Sequence, residues 1–447
     1  MTTRDEGRRG RSVPSRRLSR LGQFGRLAGG LAGGMLAEGA RRLAEGERPA
    51  MRDMLLTPGN LLRVADRLSH LRGAAMKLGQ MISLDAGDAL PAELSELLAR
   101  LRADADPMPP LQLQRVLAAE WGREWRNRFK SFDDRPIAAA SIGQVHRAVT
   151  LDGRELAIKI QYPGVRASID ADVDNVATLL RVSGLLPPGL PIAPLLAEAK
   201  AQLHEEADYR REGAELEAYG RLMAGNEDFV VPELAPDFTT ENILAMSFVE
   251  GVPIEAMANG PQHDRDRVTA LLIDLVLDEI FRFGVMQTDP NFANFRYQPL
   301  SGRIVLLDFG ATRPVPPATA EAYRRLLAAG LASDAKAVKT AALDAGLLGE
   351  AALRRHGELI ERVISLIVTE ASRSGPFDFA DRRVASIVRD QAASVASDRE
   401  AWHIPPTDML FVQRKISGIA LLAARLRARV DVRSMVAERI GATPSGL

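Results

Sequence analysis

The chain has 447 residues, 46% of them hydrophobic, which is enough apolar material for two or three domains or for one two-lobed enzyme with extensions. The 58 Lys and Arg residues balance 58 Asp and Glu, so the net charge is zero and a chain built mainly to coat nucleic acid is excluded. Because the chain has no Cys, disulfides, zinc–thiolate sites, iron–sulfur clusters and cysteine nucleophiles are excluded as well.

Metal binding by histidine and membrane spanning are also not expected. The six His residues are scattered without metal-ligand spacing. No apolar run reaches the ~18–20 residues that a membrane-spanning helix needs, and the basic N-terminus lacks the compact apolar core of a secretory signal. We expect a cytoplasmic protein, or one lying peripherally on the inner face of a bacterial cytoplasmic membrane. In a eukaryote the corresponding place would be the mitochondrial matrix side.

The first 50 residues are basic and glycine-patterned. Residues 1–26 hold eight Arg against two acidic residues, and Gly25, Gly29 and Gly33 recur at every fourth position. We predict a flexible tail over residues 1–50. The glycines favour either a smooth helical face for close packing or lipid contact, or a flexible linker.

A helical extension is predicted for residues 51–135. Apolar residues recur at helical spacing over 58–102, and residues 111–130 also have a helical pattern. The segment contains Lys77-Leu-Gly79-Gln80. Periodicity alone would make Lys77 a surface residue and Gly79 a helix defect.

From Ile137 the pattern changes to short strands, and residues 136–252 are assigned to a small β-rich lobe. Ala138–Ala148 and Glu155–Gln161 flank Asp152-Gly153, a strong hairpin signal. The pattern then predicts helices over 168–183 and 194–223 and a buried strand over Asn242–Val249. Residues 253–447 are assigned to a larger lobe, mainly helical from Arg265 onward.

Two motifs of the larger lobe indicate phosphoryl transfer. A kinase catalytic loop needs an Asp that orients the attacking hydroxyl or water and an Asn five positions later that holds magnesium, while the Asp of D-F-G holds the metal against the phosphates. Asp289 and Asn294 have this spacing, and Asp308-Phe309-Gly310 follows 19 positions after Asp289. The apolar run over 303–307 predicts a hairpin strand that presents both carboxylates to one nucleotide.

Lys159 stands in a strand pattern, Leu156-Ala-Ile-Lys-Ile, where a kinase lysine binds the α- and β-phosphates. A lone Lys in an alternating strand is usually a surface residue, but this one follows a small-residue turn by one hairpin and precedes Asp289 by 130 residues. Such a lysine needs a helix carboxylate. Glu206 and Glu212, on one strongly charged predicted helix, are the candidates, and a solvated helix face is the alternative.

The nucleotide loop is predicted in a stretch of small residues. Where a protein kinase has a Gly-rich loop over the phosphates, this chain has Ala138, Ala139, Ala140, Ser141, Ile142 and Gly143. The Cβ atoms of such a stretch restrict backbone freedom and approach to a ligand.

The ordered set of motifs resembles the UbiB (AarF) family of atypical protein-kinase-like proteins. The likeness spans residues 58 to about 435. It rests on Lys77–Gln80, Ala138–Arg147, Ala157–Lys159, Glu206–Asp208, Asp289–Asn294 and Asp308–Gly310, and Leu410–Ile419 is similar to a helix of that family.

The resemblance implies an α+β, atypical protein-kinase-like two-lobed fold, with a small β-rich N-lobe, a large helical C-lobe and a family-specific N-terminal helical extension. It implies that Lys77 and Gln80 gate the site where a protein substrate would bind. The remaining roles that it implies are catalysis by Asp289, Lys159 and Lys77, partnership of the lysines with Glu206 and Glu212, magnesium binding by Asn294 and Asp308, and an adenine hinge at Met246, Ser247, Phe248 and Val249.

In function, the resemblance implies Mg-ATP-dependent ATPase or small-molecule kinase activity that supports biosynthesis of ubiquinone or a related isoprenoid quinone. The expected cofactors are ATP and Mg²⁺. The expected partners are a quinone-precursor or other isoprenoid lipid, an anionic membrane surface and enzymes of quinone biosynthesis, with no nucleic acid. Some members carry two C-terminal membrane helices that this sequence lacks, so membrane contact is expected to be peripheral, through the basic tail and the glycine-patterned segment.

Two alternatives stay open. One is a true protein kinase, which the Lys77–Gln80 element disfavours if it occludes the peptide groove. The other is a catalytically weak pseudokinase that acts as a nucleotide-gated lipid-binding scaffold. It rests on a departure from the family pattern, which usually has His in place of Gln287 and His-Pro-Gly in place of Asn291-Phe292-Ala293.

Overall fold

The computed structural model describes residues 107–441 except 183–191, 374, 397, 402 and 404. The predicted tail, Lys77, Gln80 and most of the predicted helical extension lie outside the described residues. The domain boundaries at 50, 135 and 252 stay predictions.

The chain divides into two compact units. The first comprises the described residues up to Glu217 together with Glu233–Val249, and the second comprises Ala218–Pro232 and the described residues from Glu250 onward. The first is rich in sheet and the second in helix, as the sequence predicts.

A five-stranded antiparallel sheet forms the centre of the first unit. The sheet order is β1-β3-β4-β6, and β2 pairs with β3. Gly153, at φ 91°, closes the turn between β3 and β4, so the predicted hairpin is confirmed. The strands are β1 (Phe129–Phe132), β2 (Ala138–Ala139), β3 (Gly143–Thr150), β4 (Glu155–Gln161) and β6 (Ile243–Ser247).

The predicted helix over 111–130 is wrong in its second half. Helix α1 (Pro110–Trp121) begins at a proline and ends at Gly122, whose φ of 88° suits glycine. Phe129 then starts β1 and is buried with Leu113 and Leu117 of α1 in the core of this unit. Pairing of β1 with β3 decides the strand, and such distant pairing is invisible to local periodicity.

The predicted helix over 194–223 is interrupted. Its two parts are α3 (Ile192–Glu206) and α4 (Tyr209–Leu222), and they follow α2 (Val165–Val182). Asp208 stands at the break, and its carboxylate accepts a hydrogen bond from the Arg211 amide at 3.1 Å, as a capping residue does. The cap therefore starts a new helix.

Short sheets of the second unit frame the predicted catalytic segment. A four-stranded sheet has the order β5-β10-β9-β7, in which β5 is parallel to β10 and the other pairs are antiparallel, and β8 pairs with β11. The predicted strand over 303–307 is confirmed as part of a hairpin with β9. The strands are β5 (Phe229–Val230), β7 (Val252–Pro253), β8 (Val285–Gln287), β9 (Phe295–Gln298), β10 (Arg303–Leu306), β11 (Thr312–Pro314), β12 (Phe377–Asp378) and β13 (Arg429–Val430).

Seven described helices make up the rest of the second unit. They are α5 (Gln262–Asp278), α6 (Pro317–Leu331), α7 (Ala335–Asp344), α8 (Glu350–Ala371), α9 (Arg383–Ala396), α10 (Thr407–Leu426) and α11 (Val432–Ile440). Helix α5 packs against α10 and continues as a π-helical turn, Glu279–Phe283, which ends at the left-handed Gly284. Within the described part of the chain, no helix is long and apolar enough to cross a membrane.

Candidate active site

In the first unit, Lys159 lies in the middle of the sheet and is nearly buried. It stands on β4 between Val145 of β3 and Leu244 of β6. Its ammonium donates to both carboxylate oxygens of Glu212, at 2.7 and 2.9 Å, and lies 5.2 Å from the centre of the Tyr209 ring. The Glu212 side chain is 2% exposed, so the ion pair is desolvated on that side and holds the lysine in one position.

Glu206 has a different contact, and the single predicted helix is wrong for these two carboxylates. The break at Asp208 puts Glu206 at the end of α3 and Glu212 in the first turn of α4. The Glu206 carboxylate accepts a hydrogen bond from the Ser141 hydroxyl at 2.6 Å. The predicted partnership of Lys77 with these carboxylates stays a prediction.

The alanine-rich stretch forms a strand and a tight turn. Ala138 and Ala139 are exposed on β2, and the Ala140 amide donates to the Gly143 carbonyl at 2.9 Å. Ile142 is buried, and Ser141 is tied to Glu206 as above. Both ends of the turn are therefore anchored within the first unit.

The predicted hinge residues close the sheet of the first unit. Met246 is buried on β6 opposite Ala157. The amides of Ser247 and Phe248 donate to the carbonyls of Glu233 and Glu155, both at 2.8 Å. Val249, half-buried, ends this unit.

In the second unit, the segment from Asp289 to Asn294 forms a loop between β8 and β9 that contains several internal hydrogen bonds. The Asp289 carboxylate accepts from the Asn291 amide at 3.2 Å, and the Asn291 side chain caps the Phe292–Asn294 3₁₀ turn by accepting from the Ala293 amide at 3.1 Å. The Asn294 side chain donates to the Asp289 carbonyl at 3.4 Å. Asn291-Phe292-Ala293 thus gives the loop a capped turn.

Hydrogen bonds join this loop to the D-F-G motif. The Leu307 amide donates to the Asn294 carbonyl at 3.0 Å, and the amide and hydroxyl of Thr288 both donate to the Ala311 carbonyl. The Asp308 carboxylate accepts from the Gly310 amide at 3.0 Å. The structure therefore brings Asn294 next to the residue that precedes Asp308.

The donor chemistry of Asn294 and Asp308 fits magnesium. Mg²⁺ prefers oxygen ligands and is usually held by one or two carboxylates together with substrate phosphates and water, so a carboxylate and an amide oxygen suffice with a nucleotide. No cluster of three or more His, Cys, Asp or Glu with metal-binding geometry occurs among the described residues.

Comparisons with known proteins decide the family. The ABC1 atypical kinase-like domain matches residues 100–342. The chain is 37% identical over 431 residues to "Atypical kinase COQ8, mitochondrial" of Saccharomyces cerevisiae, covering 96% of this chain and 85% of that protein. The chain belongs to the ABC1 atypical kinase-like family.

Other relatives agree with the UbiB (AarF) resemblance, which is confirmed. "Atypical kinase coq-8, mitochondrial" of Caenorhabditis elegans is 37% identical over 432 residues, 94% of this chain and 57% of that protein. The solved structure of the Rv3197–erythromycin complex from Mycobacterium tuberculosis matches with a TM-score of 0.58 and 28% identity, over 83% of this chain and 93% of that one. The predicted atypical protein-kinase-like fold is confirmed with the family.

One group of residues in this ABC1 chain was not predicted. Glu279, in the π-helical turn, and Lys415, on α10, are buried, and their charged groups lie 3.6 Å apart. The Glu279 carboxylate also accepts hydrogen bonds from the Tyr219 hydroxyl at 2.8 Å and from the backbone amide of Gln287 at 2.9 Å. Lys415 donates to the side-chain oxygen of Gln287 at 2.9 Å.

The electrostatics of this group follow from its burial. Burial raises the pKa of Glu279 and lowers the pKa of Lys415, and each charge opposes the shift of the other. Burial also raises the pKa of Tyr219 well above its usual value. The only sequence signal for the group was a charged residue on an otherwise apolar helix face, at two positions 136 residues apart.

Proposed function

We propose that the protein is a Mg-ATP-dependent atypical kinase or ATPase that supports biosynthesis of ubiquinone or a related isoprenoid quinone. The observation that carries the proposal is the pair of kinase-type sites: the buried Lys159–Glu212 ion pair in the first unit and the joined Asp289–Asn294 and D-F-G motifs in the second. Family membership and the COQ8 relatives support the quinone part.

Each residue has a definite task in this proposal. Lys159, fixed by Glu212, would carry its positive charge to the α- and β-phosphates, and Asn294 and Asp308 would hold Mg²⁺. Asp289 would orient the attacking water or hydroxyl and accept its proton. Magnesium, when bound, supplies charge neutralisation at the phosphate oxygens.

Access and location form the second part of the proposal. We propose that Lys77 and Gln80 restrict peptide substrates, so that the acceptor is water or a small lipid-related molecule. We also propose that the Arg-rich segment before residue 27 attracts the protein to an anionic membrane surface, where isoprenoid lipids and quinone-biosynthesis enzymes would be its partners. The location would be cytoplasmic or on the inner membrane face, or the matrix side if the chain is mitochondrial.

The test is phosphate release from Mg-ATP by the purified full chain, with and without phosphatidylglycerol-containing vesicles and a quinone-like phenol. The decisive variant is Asp308→Asn, and Asp390→Asn on the exposed face of α9 is the matched control. We expect stimulated turnover that falls roughly 10²–10³-fold in Asp308→Asn, as for loss of a group that stabilises transition-state charge, and stays unchanged in the control. If Lys77 gates the site, Lys77→Ala is expected to change the nucleotide preference or to permit autophosphorylation, and an unchanged variant would make Lys77 a surface residue.

Other outcomes identify the alternatives. Nucleotide binding without turnover under every condition would replace the ATPase by the nucleotide-gated scaffold. Efficient phosphorylation of added proteins by the unmodified chain would favour a protein kinase. The protein-kinase alternative also has support from the name of one relative: "Probable serine/threonine-protein kinase abkA" of Dictyostelium discoideum is 31% identical over 449 residues.

A further inference from the structure

Two residues on one face of helix α10 contact the predicted catalytic loop and the end of the strand before it. Lys415 and Gly418 are three residues apart and therefore lie side by side on α10. Lys415 donates to the side chain of Gln287, the last residue of β8 and two positions before Asp289. A Cβ atom added at Gly418 would overlap the ring of Pro290, so the α10 backbone lies against the residue that follows Asp289.

Gln287 links α10 to the backbone of Asp289. Its side-chain oxygen accepts from the Lys415 ammonium at 2.9 Å, and its side-chain nitrogen donates to the Asp289 carbonyl at 3.0 Å. An amide side chain can do both at once because it carries an acceptor and a donor. The Asp289 carbonyl is thereby held at a fixed distance from the helix.

Glu279 supplies the charge that allows a lysine at this depth. The Lys415 side chain is 1% exposed and the Glu279 side chain is fully buried. An unpaired ammonium in such surroundings would be strongly destabilising, whereas replacement of a whole buried ion pair by neutral groups is often tolerated. The stability of the fold therefore does not explain why this ion pair is present. The hydrogen bond from Lys415 to the Gln287 side chain offers an explanation.

We propose that Lys415 and Gly418 are positioning residues, which fix the direction of the Asp289 carboxylate through the Lys415–Gln287 hydrogen bond and the Gly418–Pro290 contact. The consequence for catalysis rests on the proposed function, in which Asp289 meets the attacking group. A displacement of the Asp289 carboxylate by about 1 Å is enough to lower turnover ~10²-fold.

The test compares the full-length wild type with Lys415→Met, the double variant Glu279→Gln/Lys415→Met, and Gly418→Ala. The double variant removes both charges, while the glutamine that replaces Glu279 can still accept from Tyr219 and Gln287. The double variant therefore separates the loss of the Lys415–Gln287 hydrogen bond from the cost of leaving the Glu279 carboxylate buried without a counter-charge. Matched controls are Ser417→Ala, exposed on α10, and Gly330→Ala on α6, where an added Cβ meets nothing within 4 Å.

Two readouts are taken on each protein. The first is amide hydrogen exchange of peptides covering residues 288–296, with peptides of the β3–β4 hairpin as the internal reference. The second is kcat and KM for ATP. We expect loop exchange at least ~10-fold faster in the double variant and in Gly418→Ala with the reference unchanged, and kcat ~10²-fold lower with KM for ATP within about twofold.

The outcomes separate the two proposals. Loop exchange at the wild-type rate in the double variant, or an equal rise in the reference peptides, would overturn the positioning role. If loop exchange is faster in the double variant but the wild type releases no phosphate, the positioning role stands and the proposed ATPase is rejected.

Discussion

His146 is a neutral histidine in the core of the first unit. Its ring is fully buried and stacks on Phe132, with ring centres 5.4 Å apart. The Gln144 side-chain oxygen accepts from the Met108 amide, so the Gln144 nitrogen must donate to His146 Nε2, at 2.7 Å. The other ring nitrogen then donates to the Asp133 carbonyl, at 2.7 Å, and a second proton on the ring would break the bond to Gln144.

This arrangement predicts a loss of stability in mild acid. Burial lowers the pKa of His146 below 6.5, against the opposite influence of Asp133 and Asp134. Above pH 6.5 the ring is neutral in both folded and unfolded chains. Below pH 6.5 the ring binds a proton in the unfolded chain but not in the folded chain. The free energy of unfolding therefore decreases as the pH falls from 6.5 towards the lower folded pKa, by at most ~1.4 kcal/mol per pH unit.

The measurement is urea unfolding at pH 7.5 and pH 5.5. We expect His146→Gln to remove the part of the pH dependence that this ring causes, whereas His263→Gln, at an exposed histidine, leaves it intact. An identical pH dependence in wild type and His146→Gln would show that the ring does not stay neutral in the folded state.

At the scale of elements, the β3–β4 hairpin packs closely at its open end, where Gly143 lies against β4. A Cβ atom at this position would overlap the Ile160 carbonyl oxygen on β4 and lie 3.0 Å from the Tyr209 hydroxyl. Because backbone atoms on a central strand cannot move aside cheaply, Gly143→Ala should separate the strands or displace α4. We expect a loss of about 1–3 kcal/mol in the free energy of unfolding, the usual size for overpacking.

A second glycine gives the comparison. Gly330 lies in α6 with open space around the position of a Cβ, and alanine is the better helix former there by roughly 0.5–1 kcal/mol. Denaturant unfolding of both variants should show Gly143→Ala less stable and Gly330→Ala as stable as wild type or more so. Equal stability of the two variants would mean that the hairpin can widen without penalty.

Among the strands and helices, those whose form depends on neighbouring residues in the chain could be predicted from the sequence. Asp152-Gly153 between two alternating strands was enough for the hairpin, because a turn with positive φ favours glycine. The strand at Phe129 and the cap at Asp208 were missed. At Phe129 the helical spacing continues past Trp121, and only pairing with β3 turns the segment into a strand.

Across the whole molecule, three of the predicted site residues were inferred from their spacing in the chain. Asp289, Asn294 and Asp308 were predicted together because a kinase that binds one nucleotide and one metal requires such residues on adjoining turns. Glu279 and Lys415 were missed because their relation exists only after folding. A charged residue on an apolar helix has no local signal that names its partner.

The last prediction concerns stabilisation of the whole chain by Mg-ATP. A ligand that binds only the folded protein adds RT ln(1 + [L]/Kd), about 2.7 kcal/mol at 100 times Kd, which should raise the melting temperature by roughly 3–5 °C. If Asp308 is a metal ligand, Asp308→Asn should reduce this rise to the value seen with ATP and EDTA, because the metal would lose a charged oxygen donor.

Scanning calorimetry with ATP plus Mg²⁺ and with ATP plus EDTA measures this difference, and Asp390→Asn is again the control. The magnesium-dependent part of the rise should be kept in the control and lost in Asp308→Asn. A full magnesium-dependent rise in Asp308→Asn would remove Asp308 from the metal site whatever its effect on turnover. Since a nucleotide-gated scaffold would show the same magnesium dependence as an ATPase, this measurement tests the metal ligand separately from catalysis.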